Sequence, residues 1–106
     1  DKYFITIDAC YSKEDPHNYL GDDDISYRAI EGGGKGNKAP EELVKKMTIP
    51  EKKTWSEHQI SDATTFYRYG AKAINICYPV RYLHGLEQTK ISYIEKIEKS
   101  VLSFIK

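Results

Sequence analysis

Ala73-Ile74-Asn75-Ile76-Cys77 runs straight into Tyr78-Pro79-Val80-Arg81-Tyr82-Leu83-His84, and the reading of the fold turns on this stretch. Its first half is apolar and partly β-branched, the pattern of a buried strand over residues 72–78. Pro79 has no N–H to donate, so the ladder is expected to stop there and His84 to fall in a loop. Arg81, Tyr82 and His84 then occupy a connection for which polar filler would suffice. Loops at strand ends are where ligand and metal residues gather.

Toward the amino end, residues 3–9 (Tyr3-Phe4-Ile5-Thr6-Ile7-Asp8-Ala9) read as another buried strand. Phe4, Thr6 and Asp8 share one face, and Tyr3, Ile5 and Ile7 the other. Asp8 is placed at the carboxyl end of that strand, where an aspartate often does no more than cap a loop amide. If the two strands are parallel, Asp8 and His84 instead emerge into one crevice, the usual ligand site of an open α/β sheet. Carboxylate and imidazole are also ligands that catalytic zinc takes.

Between these strands the chain alternates. Residues 11–24 are polar and contain Asp15-Pro16 and Gly21-Asp22, which marks a loop. Residues 25–30 read as a strand ended by Gly32-Gly33-Gly34. Ala39-Pro40-Glu41-Glu42 opens a helix, with proline and acids suited to its first turn and Lys45-Lys46 to its last. Residues 52–60 fit a short edge strand. Ser61 caps a further helix through Tyr69, and Gly70 stops it. The last segment, Ile91 to Ile105, sets Ile91, Ile94, Ile97, Val101, Leu102 and Ile105 on one helical face, with Glu95 and Lys99 opposite. The order β-β-α-β-α-β-α predicts an α/β layered domain, one unit over residues 1–106.

Composition narrows the function classes. With 16 basic and 16 acidic side chains the formal charge is zero, so no basic excess argues for nucleic acid. No apolar run is long enough to span a bilayer, and no signal-like segment precedes the first strand. The nine tyrosines are core and surface packing residues. Cys10 and Cys77 lack metal-finger spacing and read as buried free thiols of a reducing cytoplasm. Gly32-Gly33-Gly34-Lys35-Gly36 invites a phosphate-loop reading, but no Lys-Ser or Lys-Thr pair closes it and no helix opens at once. His17 and His58 lie in polar segments and read as solvent-exposed. Asp62 sits in a helix's first turn, where an acid is stabilising in its own right. The chain opens within a strand, as a piece of a longer protein would.

Three segments together resemble the dinuclear metallo-aminopeptidases of the glutamyl and tetrahedral aminopeptidase family, some of whose members carry the label cellulase. Ile5-Thr6-Ile7-Asp8 resembles the strand that ends in a metal-binding aspartate. Ser61-Asp62-Ala63, followed by Arg68-Tyr69-Gly70-Ala71, resembles the Thr-Asp-Ala helix and its glycine turn. Tyr78-Pro79-Val80-Arg81-Tyr82-Leu83-His84 resembles the Ile-Pro-x-Arg-Tyr-x-His motif that carries the last metal-binding histidine, and Glu87 matches a glutamate common there. The sequence departs at Ala9-Cys10, at Ser61 and at Gly85-Leu86.

The resemblance implies the C-terminal portion of a zinc-peptidase catalytic domain of the phosphorylase/hydrolase-like class, a layered mixed sheet flanked by helices. It implies peptide substrates, two divalent ions (zinc, cobalt or manganese), a cytoplasmic setting and a homo-oligomer. Asp8 and His84 would be metal ligands, and Asp62, Arg81 and Tyr82 would border the substrate pocket. The other ligands and the general-base glutamate would lie upstream of Asp1, as would an inserted dimerisation domain. The chain alone is then expected to be inactive and to hold zinc weakly. The alternative is a metallopeptidase-like protein that keeps the fold for assembly or peptide binding.

Overall fold

The apolar run around Ile74 becomes the middle strand of a three-stranded sheet. The computed structural model describes residues 3–12, 24–34, 36–52, 59–81 and 89–105. In chain order these form β1 (Tyr3–Tyr11), β2 (Ser26–Arg28), β3 (Ile30–Glu31), β4 (Asn37–Lys38), α1 (Glu41–Val44), α2 (Asp62–Arg68), β5 (Lys72–Val80) and α3 (Ile91–Ile105). The sheet has the order β1-β5-β2, with β5 parallel to β1 and antiparallel to β2. β3 and β4 pair separately as an antiparallel ribbon. This is a small α/β unit with a mixed sheet and helices, as the alternation of elements predicts.

Pro79 does not end β5. It sits inside the strand, opposite Cys10, and the pairing with β1 runs on to Val80 and Tyr11. The hydrogen-bond pattern explains why. Ser12 donates its N–H to the Val80 carbonyl at 3.0 Å, so Val80 turns its backbone polar groups toward β1 and Pro79, one residue earlier, toward the other side. β2 reaches only as far as Cys77 on that side, so the missing N–H forfeits no ladder bond. The Pro79 carbonyl accepts from Thr89 Oγ1 at 2.8 Å instead.

The two faces of the sheet differ in chemistry. On one, Ile5, Ile74, Ile76, Tyr78 and Tyr27 meet Leu43, Ile49, Tyr93 and Ile97 to form the apolar core. Each fully buried Ile or Leu there contributes about 1.5–3 kcal/mol. The other face carries Thr6, Asp8, Cys10, Asn75, Cys77, Ser26 and Arg28, placed together by register and strand alternation. α2 covers one end of it, with Phe66 stacked on Phe4 at 4.4 Å and the Tyr67 hydroxyl donating to the Ala73 carbonyl at 2.6 Å.

Several expected boundaries move. The strand expected over residues 25–30 divides at Ala29, whose carbonyl accepts from Ala39 N–H at 2.9 Å and so hands the chain from β5 to the β3–β4 ribbon. Glu51 bridges Tyr27 in parallel, just before the edge strand expected over residues 52–60. Residues 53–58 lie outside the described residues, as do most of the 11–24 loop and Lys35. α1 is a single turn that ends before Lys45-Lys46. Ser61 does cap α2: its hydroxyl accepts from Ala63 N–H at 3.1 Å, while its own N–H reaches Thr64 Oγ1 at 3.3 Å. Gly70, at φ +75°, ends the helix as expected.

α3 has the expected length and a different buried face. Tyr93, Ile97 and Ser100 are buried and Val101 and Phe104 half-buried, whereas Ile91 is 74% exposed, Ile94 53% and Leu102 44%. The sequence carries two overlapping helical stripes. The one that wins, at 93, 97, 100 and 104, supplies two aromatic rings, and small Ser100 lets its hydroxyl approach the Met47 sulfur to 3.5 Å. No described helix is long and apolar enough to cross a membrane.

Candidate functional site

The parallel pairing of β1 with β5 sets the condition on which the sequence reading depended. Both strands run the same way as direct neighbours, so the end of β5 at Val80 lies beside the end of β1 at Tyr11. Asp8 itself is not at the strand's carboxyl end. β1 continues through Cys10 and Tyr11, and Asp8 lies opposite Cys77, three residues before β5 finishes. The strand is longer than expected because Ala9-Cys10-Tyr11 still finds partners in Tyr78-Pro79-Val80.

The Asp8 carboxylate is 35% exposed and lies on the polar face. Its Oδ1 accepts from Ala9 N–H at 3.0 Å, and Oδ2 stands 3.9 Å from Arg28 Nη1. The local amide contact is the modest capping role that a strand aspartate takes; the guanidinium is a long-range addition that the sequence did not announce. Asp62 is exposed in the first turn of α2, and nothing bonds it to Asp8. Arg81 is half-buried directly after β5. Tyr82 and His84 lie outside the described residues, as do Glu87, Asp15, His17 and His58. Among the described residues no group of three or more His, Cys, Asp or Glu side chains is arranged to hold a metal ion. Asp8 alone, with a guanidinium against it, does not make a metal centre.

Around Asp8 the polar face is densely furnished. Thr6 Oγ1 donates to Asn75 Oδ1 at 2.5 Å, and the buried Asn75 Nδ2 has no hydrogen-bond partner. Cys10 and Cys77 are both buried free thiols, as expected. The Ser26 hydroxyl and the Cys77 sulfur are 3.1 Å apart. The Cys77 thiol is held below the ordinary thiol range, chiefly by its hydrogen bond with Cys10, against the upward push of burial. Ser26 and the Arg28 and Lys52 charges act in the same downward direction.

A second polar centre escaped the sequence reading altogether. Glu31 is fully buried, and its Oε2 accepts from Ser61 N–H at 3.0 Å and from the Ser61 and Thr64 hydroxyls at 2.6 Å each. Its Oε1 is buried without a partner. The partners are thirty or more residues away, so the only local signal was an acid placed between a strand and a glycine turn. No protein-family model, curated protein or solved structure matches the chain.

Proposed function

We propose that this chain is part of the catalytic domain of a metal-dependent aminopeptidase, one that releases N-terminal residues from peptides and is completed by ligands from outside the chain. The observation that carries this reading is the direct parallel pairing of β1 with β5. It makes β1, which carries Asp8, and β5, which Arg81 directly follows, neighbours that run in one direction, and this supports a crevice at their carboxyl ends as the ligand site. The motif resemblance supplies the chemistry. In such a site two divalent ions polarise the scissile carbonyl and lower the pKa of a bound water.

Within this reading Asp8 offers an oxygen donor, and Asp62, Arg81 and Tyr82 border the substrate. Asp8 and His84 are one ligand per ion, too few to hold either firmly. The chain by itself is therefore inactive, and the complete enzyme is a homo-oligomer of the cytoplasm. Release of residues from an aminoacyl-p-nitroanilide by the purified 106-residue chain would overturn the first of these statements. In the complete protein, Asp8→Ala and His84→Ala each abolish turnover; full activity in either variant refutes the assignment.

One observation favours a second reading, a metallopeptidase-like protein without catalysis. The Arg28 guanidinium 3.9 Å from Asp8 is a charge that a divalent cation must displace or tolerate. Zinc binding to the complete protein separates the two: the enzyme loads two ions per chain, and the non-catalytic relative none.

A further inference from the structure

We propose that Cys10 and Cys77 form a two-thiolate site for one soft, thiophilic ion of the copper(I) class. The chain has only these two cysteines, and both are buried and free. They stand on adjacent parallel strands and on the same face, Cys10 two residues beyond the partner of Cys77. Both side chains are buried on that face, and Cys10 is the chief influence that lowers the Cys77 thiol below its ordinary range.

Strand geometry decides what such a pair is suited to. A stagger of two residues across neighbouring strands separates the Cα atoms by about 8 Å, from a strand spacing near 4.8 Å and two rises of about 3.3 Å. That exceeds the roughly 6.8 Å a disulfide spans, so oxidation to cystine requires the strands to move. An ion bound between the sulfurs asks for a longer link. Two metal–thiolate bonds of about 2.3 Å hold the sulfurs some 4.6 Å apart, a span that side chains on one face of neighbouring strands can cover.

The number and softness of the donors select the ion. No third His, Cys, Asp or Glu joins the pair among the described residues, so a tetrahedral zinc ion is left short of ligands. Copper(I) favours thiolates and is satisfied by two. Two thiolates with one monovalent ion carry a net negative charge. The buried Arg28 lies on the same face, and both it and Lys52 act on the Cys77 sulfur with positive charge. The Ser26 oxygen, 3.1 Å from that sulfur, adds a hydroxyl donor. The site uses neither Asp8 nor His84 and stands whether or not the peptidase reading does.

The test is an anaerobic competition in which the reduced chain draws copper(I) from its bicinchoninate complex. One ion per chain is expected, with two sulfur neighbours by X-ray absorption. Cys10→Ser and Cys77→Ser each weaken binding by at least about 100-fold, the loss expected when one of two linked donors is removed. Because a preformed site binds the folded state alone, copper(I) raises the melting temperature of the unsubstituted chain. Should Cys77→Ser fail to fold, Cys10→Ser and the direction of the melting shift still decide. Undiminished affinity in Cys10→Ser overturns the proposal. So does a melting temperature that falls with copper(I), because that places the ion on the unfolded chain.

Discussion

Replacing Glu31 is the most demanding test of how the polar residues organise this fold. Glu31 Oε2 is the acceptor for three donors at once: the Ser61 N–H at 3.0 Å and the Ser61 and Thr64 hydroxyls at 2.6 Å. Those donors form the first turn of α2, and α2 packs on β1 and β5 through Phe66 and Tyr67. Glu31→Ala strands all three donors and leaves a cavity. Hydrogen bonds to a charged group are worth about 1.5–3 kcal/mol each, but the three share one oxygen and the hydroxyls can turn elsewhere. A loss of about 3–5 kcal/mol is expected, the range seen when one partner of a buried charged network is removed. Glu31→Gln retains an acceptor but sets an amide where Oε1 now sits buried without a partner, and should cost about 1–3 kcal/mol. Against a total of roughly 5–15 kcal/mol for a domain, the alanine variant forfeits a large share. Urea unfolding followed by far-ultraviolet circular dichroism measures both. With a slope of about 1–2 kcal/mol per molar, Glu31→Ala lowers the midpoint by about 1.5–5 M or leaves no folded baseline. A shift below about 0.3 M would refute the reasoning, and with it the view that this carboxylate fixes α2 to the β3 strand.

Three further outcomes follow from the packing and the charges. Ile97→Ala should cost about 2–4 kcal/mol and Ile94→Ala under about 0.5 kcal/mol, since Ile97 is 7% exposed and Ile94 53%; equal losses would restore the face read from sequence. Glu42 is held at about 2, below its ordinary value, by hydrogen bonds from Lys72 and from its own backbone and Tyr3. A lowered carboxylate stabilises above its unfolded pKa and ceases to as pH falls from about 4.5 through about 2, so Glu42→Gln should flatten the stability profile only in that window. Gly70→Ala meets no atom within 4 Å yet sits at φ +75°, so its cost should be the backbone term alone, about 1 kcal/mol by thermal melting.

The features legible in the sequence are those set by neighbouring residues. Ser61 and Gly70 bound α2 through their own hydroxyl and φ preference, and α3 has the length that its periodicity predicts. Strand alternation placed Phe4, Thr6 and Asp8 on a common face, and the Thr6–Asn75 bond and the Phe4–Phe66 stack bear this out. What stayed hidden depends on partners far along the chain. The proline rule failed at Pro79 because it assumes a neighbour on both sides of the strand, and β2 is too short to supply one there. The α3 face was misjudged because counting aliphatic residues undervalues aromatic area. Glu31 was missed because its three donors come from the 61–64 turn, and the Arg28–Asp8 contact because it joins two strands that touch β5 from opposite sides.

That last contact bears on which reading of the protein survives. Arg28 is 3% exposed, and a guanidinium that deep is costly to leave without an anion. Asp8 is one anion in reach, at 3.9 Å, a separation too long for a hydrogen bond. A carboxylate so loosely engaged on one oxygen and bonded to its own strand's amide on the other is not locked by its surroundings. It can turn toward a cation supplied from outside the described residues, at the cost of weakening its pairing with Arg28. If Asp8 serves a metal, the positive charge of Arg28 is freed for other anions on the polar face. The Cys10–Cys77 pair, made anionic by a bound soft ion, lies on that same face and is one such anion. Asp8 and the thiol pair therefore compete for one buried positive charge. Occupying the thiol site with copper(I) should draw Arg28 from Asp8 and so raise, rather than lower, the affinity of Asp8 for a divalent ion.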